Sequence, residues 1–418
     1  MTNPDSIDRF SGTEWMRSYA ADHYRSAGLD LSEDSTEKIR IWQDRTRKTL
    51  MDVIGISQLT KSPLRVEWIG SVELCDHRRE TWVIETNPGC WMPFYILIPL
   101  KMAKKAPCCI APHGHDSGGR LATGHRVDIP AVQNSISKYN YTYGIELVRR
   151  GFIVFCPDAR GFGSRRAAPF RPLPSEKADE IPAPDRIDNL RCDESGESRT
   201  SQEVMISSEL SKGAMPIPGT GVYMGSTCRE LNNLATSMGL SLTGLWVWDL
   251  MRLLDYIETR EDCDCENLSV AGLSGGGLQS LWLAALDSRI KKAVVSGYFY
   301  GYRDSLLDMP LNCSCNYVPN LWSTVDMGDI GALVAPRPLL VETGDQDELN
   351  GARGIQNVVE QVAITEHAYK VLQAESHFQH KIYSGEHRWY GDDAYTFLSQ
   401  QSMSAVDADQ RRQSKNEP

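Results

Sequence analysis

One serine of this chain sits in a G-x-S-x-G string, Gly272-Leu273-Ser274-Gly275-Gly276. So short a string arises readily by chance, and its surroundings decide what it means. Leu268 to Leu273 reads as a buried strand, and the stretch from Gly277 onward, with Leu278, Leu281 and Leu283, reads as an apolar-faced helix. Strand, sharp turn and helix in that order push a hydroxyl outward at the end of a sheet, where it can act as a nucleophile. The glycines serve that turn, because side chains at Gly272 or Gly276 would collide with the neighbouring strand and helix. A phosphate cradle fits poorly: Gly-x-x-Gly-Gly-Gly is neither a dinucleotide fingerprint nor a P-loop, and no lysine follows it.

A serine hydroxyl is a weak nucleophile near neutral pH, so it needs an imidazole to take its proton and a carboxylate to fix that imidazole. Where a strand-turn-helix presents the serine, acid and base follow it in that order. The apolar run Pro338 to Thr343 leads into Gly344-Asp345-Gln346-Asp347. Asp347 is the preferred acid, because two or three residues of turn past the glycine swing a carboxylate back toward the serine; Asp345 is the reserve. Of the three histidines that follow, His387 is the preferred base, since Ser384-Gly385-Glu386-His387-Arg388-Trp389 reads as a loop between the final strand and the final helix. His377 is the reserve base, and His380 is read as a packing residue. Two backbone N–H groups must also meet the developing oxyanion. Gly275, next to the nucleophile, is one candidate. His115, in the glycine-containing loop His113-Gly114-His115-Asp116, is the other. The His113 imidazole is read as a brace of that loop.

These residues require a frame. Two polar helical stretches, Trp15 to Ser26 and Ser35 to Val53, precede any strand signal and read as an N-terminal helical extension over residues 1–60. Arg65 to Leu74, Glu80 to Thr86 and Trp91 to Leu100 then read as an antiparallel meander. Beyond it, short apolar runs (108–112, 152–157, 268–273, 293–296, 338–343, 368–372) alternate with helical ones (136–149, 243–260, 275–286, 350–362, 392–400). That alternation predicts an α/β fold with a mostly parallel, doubly wound sheet of about eight strands and antiparallel N-terminal strands, in a domain spanning 61–401. Residues 165–227 are rich in Pro, Ser, Asp and Glu and break the rhythm as a long insertion, a candidate lid. Residues 402–418 read as a polar tail.

Composition narrows the partners. Across 418 residues, 44 Lys and Arg stand against 55 Asp and Glu, a net charge of −11 that opposes binding to nucleic acid or anionic membrane. No run of 18 apolar residues predicts a membrane span, and Met1-Thr2-Asn3-Pro4-Asp5 carries no secretory pattern, so the expected location is cytoplasmic. Eleven cysteines, several in apolar runs, fit reduced thiols better than a disulfide framework. Cys263-x-Cys265 and Cys313-x-Cys315 fall short of the usual zinc-ligand spacing, so no metal site is expected.

The ordered set His113-Gly114-His115, Pro157-Asp158-Ala159-Arg160-Gly161-Phe162-Gly163, Gly272-Leu273-Ser274-Gly275-Gly276, Ala335-Pro336-Arg337-Pro338-Leu339-Leu340 and Gly385-Glu386-His387-Arg388-Trp389 resembles the α/β-hydrolase superfamily. Within it, the likeness is to the acetyl xylan esterase and dienelactone hydrolase-like branch, to which Cys313-Ser314-Cys315-Asn316-Tyr317-Val318-Pro319 adds. It spans about Arg65 to Leu398; the insertion at 165–227 is longer than the pattern leads one to expect. The resemblance implies a serine carboxylic ester hydrolase with Ser274, Asp347 and His387 as its triad and no metal or organic cofactor. It points to small-acyl, acetyl-type esters, with carbohydrate esters among them. A peptidase or amidase of the same fold and a non-catalytic binding protein are the alternatives, which matched ester and amide substrates and a fluorophosphonate probe would separate. Trp322, Trp389 and Tyr390 fall near the expected active face as candidate sugar-stacking groups, and a homo-oligomer is left open.

Overall fold

The computed structural model describes residues 12–167, 216–217, 222–308 and 312–400. Its centre is one sheet of nine strands, one more than the eight expected. They are β1 (Val66–Glu73), β2 (His77–Asn87), β3 (Cys90–Pro99), β4 (Ala106–Ile110), β5 (Ile153–Pro157), β6 (Cys263–Leu273), β7 (Lys292–Ser296), β8 (Leu339–Gly344) and β9 (Phe378–Tyr383). Their spatial order is β1-β2-β3-β5-β4-β6-β7-β8-β9. The first three strands form the expected meander, β3 runs antiparallel to β5, and every pair from β5 to β9 is parallel.

The central strands read as continuous apolar runs because both faces are covered. In β4, Cys108 and Ile110 face one core while Cys109 faces the other; in β5, Ile153 and Phe155 divide from Val154 and Cys156 in the same way. Helices α2 (Thr36–Val53), α6 (Leu242–Ile257), α7 (Gly275–Leu286) and α8 (Ile355–Val371) supply the first core. Helices α3 (Pro130–Tyr139), α4 (Tyr143–Arg149) and α9 (Asp392–Ser399) supply the second. Helix α1 (Gly12–Asp22) buries no residue, while α5 (Cys228–Ser237) touches the first core through Cys228 and Leu231. The N-terminal segment is fastened to the sheet domain by polar contacts as well: Arg25 grips the buried Asp329 at 2.6 and 2.7 Å, and Gln43 donates to the carbonyls of Ala332 and Ala335.

Three expectations are corrected. Residues 368–372 are no strand but the last turns of α8, which buries Val358, Gln361, Val362, Thr365, Ala368 and Tyr369 at helical spacing; the helix extends nine residues past its expected end at 362. The last strand is β9, whose edge position leaves it only partly buried and so without an apolar run. The helix expected over 136–149 is two helices, because Asn140 takes a left-handed conformation (φ 57°) and its side chain donates to the Trp389 carbonyl. The expected lid falls mainly on residues 168–215 and 218–221, outside the described residues, as does the tail from 402 to 418. No helix among the described residues is long and apolar enough to cross a membrane.

Candidate active site

The chain passes from β4 to β5 on one side of β4 and returns to place β6 on the other. Loops leaving β4 and β6 therefore diverge to opposite sides and open a crevice at the carboxyl ends of the strands, the favoured ligand position in such sheets. Ser274 stands there, on the step between β6 and α7, with φ 60° and ψ −120°. That conformation is strained for a residue with a side chain, and the surroundings hold it. Its N–H is bonded to the Ser296 carbonyl at 2.9 Å, and its C=O accepts from Leu278. A Cβ at Gly272 would lie 2.5 Å from the backbone of Gly276, and one at Gly276 would lie 2.2 Å from the Pro112 oxygen. Only glycine lets β6, α7 and the end of β4 come this close.

The imidazole and carboxylate arrive from the far side of the sheet. Asp347 follows β8 and is buried; one of its carboxylate oxygens accepts the Leu349 N–H at 2.9 Å, and the other lies 2.6 Å from Nδ1 of His387. His387 hangs in the loop between β9 and α9. That loop is pinned at both ends: Gly385 N–H donates to Asp345, Trp389 N–H donates to the Tyr139 carbonyl, and Gly391 N–H donates to the buried Glu342. Ser274, Asp347 and His387 line one cavity of about 910 Å³, within the range of small-molecule sites.

The two reserves stand elsewhere. Asp345 is absent from the cavity lining and holds the His387 loop through Gly385. His377 bonds the Pro336 carbonyl at 2.8 Å, at the amino-terminal end of β8, the opposite rim of the sheet from Ser274. His380 lies within β9 beside Thr343, and burial pushes its imidazole down to about 4. The structure thus brings Ser274, Asp347 and His387 together and leaves Asp345, His377 and His380 outside.

The loop after β4 bends back over Ser274. His113 is buried, accepts the Ala159 N–H at Nε2 and faces Ser117 and the Gly114 carbonyl at Nδ1; burial pushes it down to about 4, as suits a neutral brace. His115 stands against the nucleophile turn, its ring nitrogen Nδ1 3.0 Å from where a Cβ on Gly275 would be. Neither the His115 N–H nor the Gly275 N–H is bonded to another described group. Both residues line the cavity that holds Ser274, where a developing oxyanion would need uncommitted donors.

Sequence reading missed the tyrosines that shape the cavity. The break at Asn140 sets Tyr139 and Tyr141 on its wall, where Tyr141 donates to the His115 carbonyl at 2.8 Å and Tyr139 meets the His387 ring edge to face. The only sequence sign was Tyr139-Asn140-Tyr141, where a turn-forming Asn interrupts a helical pattern. Of the expected stacking groups, Trp389 is fully buried against Tyr143, and Trp322 packs on Tyr24 and donates to the Ala20 carbonyl. Trp389 and Tyr390 both line the cavity, Tyr390 stacked on Tyr383 at 4.3 Å, whereas Trp322 does not. The Pro157–Gly163 motif proves to be a brace: Asp158 is gripped by Arg120 at 2.6 Å, and Arg160 forks onto buried Asp249 at 2.7 and 2.9 Å.

A doubly wound sheet with a strained serine between a central strand and its helix defines the α/β-hydrolase fold. Comparison with known proteins agrees: the model of the Abhydrolase family matches residues 23–176. YtaP of Bacillus subtilis (strain 168), provisionally assigned as a hydrolase, is 22% identical over 342 residues, covering 80% of this chain and 93% of that protein. Among solved structures, one from Bacteroides fragilis NCTC 9343, provisionally assigned as an acetyl xylan esterase, superposes with a TM-score of 0.63 at 16% identity over 92% of this chain and 84% of its own. A CE15 glucuronoyl esterase from Teredinibacter turnerae T7901 gives 0.53 at 15% identity, over 91% and 89%.

Proposed function

We propose that the protein is a serine carboxylic ester hydrolase that works through an acyl-enzyme. The observation that carries this is a strained, outward-turned Ser274 sharing one cavity with a His387–Asp347 pair bonded at 2.6 Å. In the proposed reaction the Ser274 hydroxyl attacks the ester carbonyl while Nε2 of His387 takes its proton. Asp347 holds Nδ1–H, fixes the tautomer and stabilises the imidazolium. The oxyanion that forms is bonded by the N–H groups of His115 and Gly275. His387 then passes the proton to the departing alkoxide, and a water, activated by the same imidazole, releases the acid and restores Ser274.

The substrate proposed is a small-acyl ester, of acetyl type, on a small-molecule or carbohydrate alcohol. Fold neighbours named for acetyl xylan and glucuronoyl esters support a carbohydrate setting. Tyr139, Tyr141, Tyr298 and Tyr300 on the cavity wall supply faces and hydroxyls suited to a polyhydroxy partner.

Replacing Ser274 by Ala should lower turnover of an activated aryl acetate by about 10⁶-fold and abolish fluorophosphonate labelling. Wild-type turnover in that variant would overturn the assignment. A panel of acyl lengths on aryl and sugar alcohols, measured alongside, should show a steep fall beyond acetyl; tolerance of long chains would replace the acetyl reading with that of a general carboxylesterase.

A further inference from the structure

Beside the ester site, four potential metal ligands converge from three separate stretches of chain. His115 comes from the loop after β4, Cys228 from the first turn of α5, and Cys313 and Cys315 from the turn around Ser314–Asn316. One ligand atom from each lies within 4.8 Å of every other, and all three cysteines are free thiols. Nε2 of His115 is 3.6 Å from the Cys315 sulfur. Zinc bound at about 2.3 Å to sulfur and about 2.05 Å to nitrogen in a tetrahedron requires ligand-to-ligand edges of about 3.6–3.8 Å. Small side-chain adjustments bring the whole set to that geometry.

We propose that His115, Cys228, Cys313 and Cys315 bind one zinc ion as a structural Cys₃His site. The one-residue gap of Cys313-x-Cys315 falls short of the usual zinc-ligand spacing and counts against a metal; His115 and Cys228, far away in sequence, complete the set in the fold. Four protein ligands fill a tetrahedral zinc and leave no position for water or substrate, so the ion's role is to tie segments together. It clamps the loop carrying the His115 N–H to the start of α5 and to the Cys313–Cys315 turn. Cys228 and Cys315 are buried, while His115 and Cys313 line the active-site cavity and give the ion a way in. Metal on Nε2 also fixes the proton of His115 on Nδ1, the nitrogen facing Gly275. The site itself does not depend on the esterase reading; only its effect on the oxyanion loop does.

The test uses the full chain, expressed reduced and metal-replete, with metal measured by plasma mass spectrometry after gel filtration. About one zinc per chain is expected, falling below about a tenth in Cys228→Ser and Cys315→Ser and remaining at one in Cys75→Ser, whose thiol is exposed elsewhere. Exchange for cobalt should give the thiolate-to-metal absorption of a tetrahedral site, a readout that survives even if a cysteine variant misfolds. Ser274→Ala should hold zinc like the wild type, so loss of the ester function and loss of the metal site are separable. Metal-free wild-type protein, or a disulfide joining Cys228 to Cys313 or Cys315 in chains isolated under reducing conditions, would overturn the proposal.

Discussion

His387 and Asp347 work at the scale of single bonds, and the carboxylates around them divide by environment. Asp347 faces the imidazole, Asp345 faces a backbone N–H, and Glu342, two strand residues before Gly344, is buried and accepts the N–H of Gly391 that ends the His387 loop, with the Ser296 side chain and the Tyr390 backbone also acting on it. Burial pushes the Glu342 carboxyl up to about 7, against 4.5 for an ordinary glutamate. Between those values the unfolded chain releases a proton that the folded chain keeps, so the unfolded state binds fewer protons and stability falls as pH rises through that window. Fully ionised, the group costs the fold about 3 kcal/mol. Glu342→Gln should therefore raise stability by up to that amount at pH 8 and change it little at pH 4.5. Urea unfolding at both pH values checks this, and parallel pH profiles for the two proteins would count against a buried, late-titrating Glu342.

At the scale of elements, the β6 to α7 step depends on contacts too close for any side chain. Gly276→Ala sets a Cβ against a backbone carbonyl at 2.2 Å, and neither partner is a flexible side chain that can give way. The expected cost is about 3 kcal/mol, seen as a lower urea midpoint and lost turnover; Gly12→Ala, in open space, should leave both unchanged. This step was legible in the sequence because its signal is local: apolar strand, glycines and apolar helix fall within twenty residues. The meander and the central strands were legible for the same reason. β9 was not, since an edge strand with one face partly open has no apolar run, and α8 hid its last turns behind Ala368-Tyr369-Lys370-Val371-Leu372, a string that reads equally as strand or helix. Pairings between distant segments left no mark either. Nothing in Cys228 or His115 alone announces the other, although the fold sets them side by side.

Over the whole molecule, a net charge of −11 produces a field that a substrate meets before it meets Ser274. The cavity adds its own charges, Asp116, Glu348 and Glu386 against Lys138 and Arg388, so its rim leans acidic as well. An ester carrying a free carboxylate is repelled on approach, while a neutral ester is indifferent. The repulsion reaches about 30 Å at 0.01 M salt and about 8 Å at 0.15 M. The ratio of kcat/KM for an anionic aryl ester to that for its neutral analogue should therefore rise several-fold between these salt concentrations, with the neutral value nearly constant. A ratio that stays flat or falls would mean that Lys138 and Arg388 set the local field at the mouth, and it would move the proposed substrate from neutral acetyl esters toward acidic ones. The same comparison on Lys138→Ala and Arg388→Ala then separates the two cases: under the whole-molecule field both variants deepen the salt dependence, whereas under local control they create it.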